Sequence, residues 1–238
     1  MKLYILRHGT THWNAVHRIQ GQSDIPLDAA GEEIARQTGA NLAASGIRFD
    51  LVYSSPLLRA LRTAELAAPG TEILTDPRLR ELSFGPYEGQ VTWEMAEDPG
   101  CAFRYFKEDP LRYNQEVLRT AAISSRASSP GDPPESLTSL CRRTASFLTE
   151  VVEPLVRTSP DSRKILISGH GAMNRGLLMH MQKTEDLRTF WGRGLQANCG
   201  IYEITAEADR FGAVRYQVDE TCRIFYDPEV IQNISGLL

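Results

Sequence analysis

Apolar runs that stop at glycine or proline alternate along this chain with stretches of helical spacing. Leu3-Tyr4-Ile5-Leu6 is apolar and runs into Arg7-His8-Gly9, the pattern of a buried strand closed by a turn. Gly21, Asp24 and Pro26 then mark a loop. Asp28 is placed to cap a helix that reaches about Ala44, with Ile34, Thr38 and Leu42 along one face and Gly46 at its end. Phe49 to Ser54 reads as a second strand. Ser55 is placed to cap the next helix, with Pro56 in its first position and Pro69-Gly70 beyond its end near Ala67. Glu72 to Thr75 reads as a short third strand, and residues 79–89 as a loop rich in glycine and proline. From Trp93 to about Tyr113 the spacing is helical in pieces, interrupted at Pro99-Gly100 and Pro110. Residues 120–135 hold Ser124, Ser125, Ser128 and Ser129 with Pro130, Gly131, Pro133 and Pro134, which predicts a flexible surface loop. Ser136 opens a long helix to about Val156, with Leu137, Leu140, Thr144, Phe147, Leu148 and Val151 in one stripe. Lys164 to Ser168 is a further buried strand, followed by Gly169-His170-Gly171 and a helix from Ala172 to about Met181. Two late strands are expected at Ile201–Ile204 and Val214–Val218, with a turn at Phe211-Gly212, and the tail beyond Cys222 has no clear pattern.

Strands that alternate with helices predict an α/β fold: a single mostly parallel sheet with helices on both faces. One domain over residues 1–238 is expected, with the segment of about 90–135 inserted as a small helical cap over the strand ends.

Open α/β sheets bind ligands at the carboxyl ends of their strands, and that is where the chemistry-bearing residues fall. Arg7 has a permanent charge and a fork of donors suited to phosphate, and a neutral His8 can act as a nucleophile. Arg59 lies near the start of its helix, where charge and helix dipole both favour an anion. Glu81 and Glu88 share one loop, and either could handle a proton. His170 stands between two glycines at a strand end.

Arg7-His8-Gly9, followed by Thr11, Trp13 and Asn14, resembles the signature of the histidine phosphatase superfamily, which includes phosphatases and phosphoglycerate mutases. Three later segments resemble that family's other motifs, in its order: Ser54-Ser55-Pro56-Leu57-Leu58-Arg59, Leu79-Arg80-Glu81-Leu82-Ser83-Phe84-Gly85 and Ser168-Gly169-His170-Gly171. The resemblance covers about residues 2–90 and 162–176. It implies a phosphohistidine at His8, phosphate-binding Arg7 and Arg59, Glu81 as proton donor and His170 as the second histidine. The substrate contacts expected on this reading are Arg7, Asn14, Gln20, Gly21, Arg59, His170 and Gly171. Phe84-Gly85-Pro86-Tyr87-Glu88-Gly89 followed by Trp93 resembles the phosphatase branch. Mutases of the family place an adjacent arginine pair in the insertion, whereas here the pair after the loop is Arg142-Arg143, on the later helix. The expected activity is hydrolysis of a small phosphomonoester, with ribazole phosphate, sugar phosphate and phosphoglycerate all open. The rivals are a bisphosphoglycerate-dependent mutase and a non-catalytic phosphate-binding module.

Composition narrows this further. The net charge of −4 gives no basic field for nucleic acid. No apolar run approaches the length of a membrane span, and the apolar run near the start is too short for a signal peptide. Cys101, Cys141, Cys199 and Cys222 are widely spaced, which fits reduced cysteines in a cytoplasmic protein. His8 and His12 are four apart, but the strand and turn around them argue against a zinc-binding helix, and no metal or other cofactor is expected. Tyr4, Trp13 and Met173 read as packing residues. His12, His17 and His180 read as ordinary polar positions.

Overall fold

Six strands form one sheet in the order β3-β2-β4-β1-β5-β6. They are β1 (Lys2–Arg7), β2 (Leu51–Ser54), β3 (Ile73–Thr75), β4 (Lys164–Gly169), β5 (Ile201–Ala208) and β6 (Val214–Val218). The first four run parallel, and β5 and β6 complete one side antiparallel. The computed structural model describes residues 1–124, 134–158 and 163–231. Among these no helix is long and apolar enough to cross a membrane.

Successive side chains of a strand face opposite ways, so β1 feeds two cores. Leu3 and Ile5 join Ile165 and Ile167 of β4 on one face. Helices α6 (Leu137–Phe147) and α8 (Gly171–Met181) cover that face with Leu140, Phe147, Met173 and Leu177. Tyr4 and Leu6 join Val52 and Leu166 on the other, under α2 (Ala29–Ala44) and α3 (Leu58–Ala67). The expected α2 face of Ile34, Thr38 and Leu42 is buried. Asp28 caps that helix by accepting from Gly31 N.

Several local expectations are corrected by contacts from afar. The third helix starts at Leu58, and Leu57 caps it without a side-chain hydrogen bond, so Pro56 stands outside it. Asp24, from the preceding loop, accepts from Leu58 N at 2.7 Å and does the work assigned to Ser55. Pro110 does not interrupt a helix but begins α5 (Pro110–Ser124), a position where its missing N–H costs nothing. The loop expected over 120–135 is therefore helical through Ser124. At its far end Glu135 N donates to Ser83 O and the Glu135 carboxylate pairs with Arg143. Residues 125–133 lie outside the described residues.

The long helix after Ser136 continues past α6 through a wider π turn, Leu148–Val152, into α7 (Glu153–Thr158). Pro154 accounts for the widening: it has no N–H for the ladder, and its ring would crowd the carbonyl four residues back. Two short helices complete the set described, α1 (His12–Ala15) and α4 (Thr92–Glu97). Beyond Cys222, Arg223 bridges to Ile201 and Asn41 Nδ2 donates to Phe225 O, so the unpatterned tail leans on β5 and α2.

Helices α2 and α3 cross at Gly39, where an added Cβ would lie 2.4 Å from Leu66 O. Helix propensity alone makes Gly39→Ala stabilising by about 1 kcal/mol. The backbone contact reverses the sign, and we expect a loss of about 1–3 kcal/mol, read as a lower urea midpoint with the slope unchanged.

Candidate active site

The parallel pairing of β1 with β4 sets Arg7 opposite Gly169, and His8 N donates to Gly169 O at 2.9 Å. The residues that follow the two strands, His8 and His170, are thereby neighbours, with ring centroids 5.2 Å apart. The turn after β1 is pinned from both sides. Gly9 N donates to Thr63 Oγ1 on α3, and Asn198 Nδ2 donates to the carbonyls of His8 and Gly9.

His8 is buried, and its Nδ1–H donates to Gly9 O at 2.6 Å. That bond fixes the tautomer and leaves the Nε2 lone pair with no partner among the described residues. Burial first, then the Arg59 and Arg7 guanidiniums, push its pKa well below the ordinary imidazole value. Burial and Arg59, with His8 itself, do the same to His170. His170 Nε2 lies 2.8 Å from Ser55 Oγ, and its buried Nδ1 has no partner.

The two arginines are held by carbonyls. Arg7 donates to Gln196 O, and Arg59 donates to Ser23 O at 2.8 Å and Gly21 O at 2.6 Å. The Nε atoms of both are buried without partners. Burial lowers the pKa of each, that of Arg59 to about 10. Both remain cationic at neutral pH.

Glu81 faces this group from the loop before Leu82. Its carboxylate accepts from Leu82 N, from Met173 N at 2.9 Å and from Ala172 N at 3.2 Å, at the start of α8. Glu88, its rival, is turned inward. It accepts from the backbone N–H groups of Gln22, Ser23 and Phe84 and from Ser23 Oγ, and does not line the cleft. The loop that carries Glu81 is fixed from beneath by Arg143, which donates to the carbonyls of Arg78, Arg80 and Glu81 and grips both oxygens of Glu135.

One cleft of about 460 Å³ brings together Arg7, His8, Asn14, Gln20, Gly21, Arg59, Glu81 and Gly171. His170 lies behind His8. Asn14 Oδ1 accepts from Thr11 N and Thr11 Oγ1 in a capping box, and Gln20 Oε1 is buried without a partner. Gly21 has φ of +53°, and a Cβ on Gly171 would meet Leu195 at 2.8 Å. Trp13, read from the sequence as a packing residue, and His17, read as an ordinary polar position, line the cleft, as do Phe84, Phe103, Phe106, Lys107 and Trp191. Tyr4 and Met173 are buried as packing residues, and His180 pairs with Glu153. The positioning contacts of Gln196, Asn198 and Arg143 carried no motif of their own. Among the described residues, no group of three or more His, Cys, Asp or Glu side chains is placed to hold a metal ion, and the four cysteines are free.

A family model described as the histidine phosphatase superfamily, branch 1, matches residues 3–219. A probable phosphoglycerate mutase of Serratia proteamaculans, GpmB, is 35% identical over 173 residues, which make up 72% of this chain and 70% of that protein. Other relatives of that description match over 100 residues, 46% of their own length. Among solved structures, Bacillus stearothermophilus YhfR has a TM-score of 0.71 at 26% identity, over 92% of this chain and 96% of its own. Phosphoserine phosphatase of Entamoeba histolytica, in complex with 3-phosphoglyceric acid, has a TM-score of 0.65 at 25% identity, over 92% and 97%.

The two depressed histidines make stability depend on pH. Below about pH 6.5 the unfolded chain protonates both imidazoles while the folded chain protonates neither, so the unfolded state binds more protons. Stability therefore falls as pH drops, by up to about 1.4 kcal/mol per pH unit for each histidine. Urea denaturation between about pH 5 and 7.5 measures the slope, and His8→Asn or His170→Asn each removes one share of it. A slope that neither substitution changes contradicts this reading.

Proposed function

This chain belongs to the histidine phosphatase superfamily, branch 1, and on that premise we propose that it is a metal-independent phosphatase that hydrolyses a small phosphomonoester through a phosphohistidine at His8. One observation carries the reading. Two buried donors, Arg7 Nε and Arg59 Nε, and the buried His170 Nδ1 have no partner among the described residues, and they lie near a histidine whose Nε2 lone pair is free. Unmet buried donors are costly, and a phosphoryl group supplies the missing acceptors.

In this reading His8 Nε2 attacks phosphorus and the bond from phosphorus to the leaving oxygen breaks. Arg7 and Arg59 neutralise the charge that spreads over the equatorial oxygens, with the neutral His170 imidazole and the Asn14 amide as hydrogen-bond donors. Gln20, Gly21 and Gly171 line the space that the substrate fills. Glu81 gives its proton to the departing oxygen, then takes one from the water that attacks the phosphohistidine and frees His8. The insertion between Gly89 and Ser136 acts as a cap within a single domain, since Phe103, Phe106 and Lys107 all reach the cleft.

The description of the relatives as probable mutases favours a second reading. A mutase must hold a bisphosphate in two orientations, which calls for a second set of cations above the first phosphoryl group. Arg104 and Arg112 lie instead over the Tyr105 ring, Arg119 pairs with Glu116, and Arg143 is committed beneath the Glu81 loop. Arg126 falls outside the described residues. Of the named cap cations, Lys107 alone lines the cleft among the described residues. These contacts support hydrolysis.

Acid-quenched enzyme should carry phosphate on His8, and His8→Ala should lose nearly all turnover while staying folded. With 3-phosphoglycerate and catalytic 2,3-bisphosphoglycerate, phosphate release should exceed formation of 2-phosphoglycerate. Isomerisation at roughly tens of turnovers per second with little phosphate released would establish the mutase.

Glu81→Gln should slow an alkyl phosphate by roughly 10²–10⁴, because its alkoxide needs the proton, and should barely slow 4-nitrophenyl phosphate. Equal losses on the two esters would remove Glu81 from the proton transfer.

A further inference from the structure

Beside Arg7, His8, Arg59 and Glu81, the cleft is lined by His17, Arg18, Thr92 and Lys107 and by a set of large apolar side chains. Phe84, Phe103, Phe106 and Trp191 form a ring cluster on the cleft wall. Phe106 meets Phe84 and Trp191 edge to face, each at 5.0 Å between centroids, and stacks on Phe103 at 5.4 Å. Trp191 Nε1 donates to Phe106 O at 2.7 Å, which fixes the indole plane. Phe84 and Phe106 are buried, while Phe103 and Trp191 keep part of their surface open.

Leu195 extends this surface to the reacting groups. It is 51% exposed, a large apolar side chain with little cover. Its Cδ1 lies 2.8 Å from where a Cβ on Gly171 would stand, a point that is 3.7 Å from Glu81 Oε2 and 3.8 Å from Arg7 Nε. The open apolar surface therefore begins beside the groups that would hold the phosphoryl group and its leaving oxygen. The ionic contacts near it are few. Arg18 donates to Gly89 O, and Lys107 is exposed without an ion pair among the described residues.

We infer that the leaving group is a bulky planar apolar alcohol, one bearing an aromatic ring system on a short linker, seated against Phe103, Trp191 and Leu195. The inference rests on the phosphatase reading above and specifies its substrate class. Covering these side chains removes apolar area from water, and a rigid ring wall loses little entropy in doing so. A glycerol body placed against these three side chains would leave its hydroxyl groups on apolar surface without partners, which is unfavourable. The wall is held by its own ring contacts and by the hydrogen bond from Trp191 to Phe106 O, so its shape does not depend on the ligand.

The test compares 2-(2-naphthyl)ethyl phosphate with n-propyl phosphate and glycerol 3-phosphate. The first two leave as primary alkoxides of matched basicity, so a difference between them reports binding of the body. We expect kcat/KM for the naphthyl ester to exceed that for n-propyl phosphate by roughly 10²-fold. Phe103→Ser or Leu195→Ser should lower that ratio by about tenfold. A ratio below about threefold, a preference for glycerol 3-phosphate, or a ratio that both substitutions leave unchanged overturns the inference while leaving a phosphatase in place. If no ester is hydrolysed, the phosphatase reading fails, and binding decides the inference alone. The Kd of 2-(2-naphthyl)ethylphosphonate should then be lower than that of ethylphosphonate by a similar factor, and equal values overturn it.

Discussion

Arg59 and two imidazoles are buried in one corner of this fold beside the half-buried Arg7, with no ion pair to Arg7 or Arg59 among the described residues. That is the constraint around which the rest is arranged. A buried arginine normally requires a carboxylate partner. Here backbone carbonyls of Gln196, Gly21 and Ser23 take that place, each offering a partial negative charge that cannot move or be protonated. Glu81 is the carboxylate nearest in role, and it is itself satisfied by three backbone amides. The corner thus keeps an excess of positive charge, which the two histidines meet by staying neutral. A neutral His8 keeps the Nε2 lone pair that a nucleophile needs, and a cationic corner favours an anion. One electrostatic imbalance supplies both requirements.

Carbonyls can do this only where chain segments are held firmly, and many of the contacts that surround the site serve that end. Glu88 ties Gln22 and Ser23 in place, so the carbonyls of that turn point at Arg59. Arg143 and Glu135 hold the Glu81 loop from below. Gln196 Nε2 donates to Ile5 O and Gly200 O and so fixes the segment whose carbonyl receives Arg7. None of these side chains need touch a substrate, yet each determines where a cation or carboxylate stands.

The parts of this arrangement that were legible in the sequence are those written locally. A strand ending in Arg7-His8-Gly9 and another ending in Gly169-His170-Gly171 announce themselves, because burial and turn chemistry are set by neighbouring residues. Arg59 and Glu81 were legible through their flanking motifs. The failures share a different cause. Ser55 before Pro56 has the local form of a helix cap, but His170, 115 residues away, takes its hydroxyl. Asp24, 34 residues away from Leu58, caps that helix instead. Trp13 looked like core because an isolated indole beside a strand usually is, and only the cleft formed by distant segments shows otherwise. The choice between Glu81 and Glu88 needed hydrogen-bond partners that no spacing encodes.

The pairing of β1 reaches further than the site. Its two neighbours in the sheet are β4 and β5, which enter the chain only after residue 163. β1 is therefore left without a partner in this sheet until residues beyond 163 have been made. Arg7 and His8 cannot be positioned by their own surroundings, however early they emerge from a ribosome. Contacts of such long sequence separation carry a large loop-closure cost and are slow to form. The residues that begin the candidate site are among the last to be fixed in place, and a fragment that ends before residue 163 lacks both strands that flank them. Arg7 and His8 in their places are thus a report that β4 and β5 have joined the sheet.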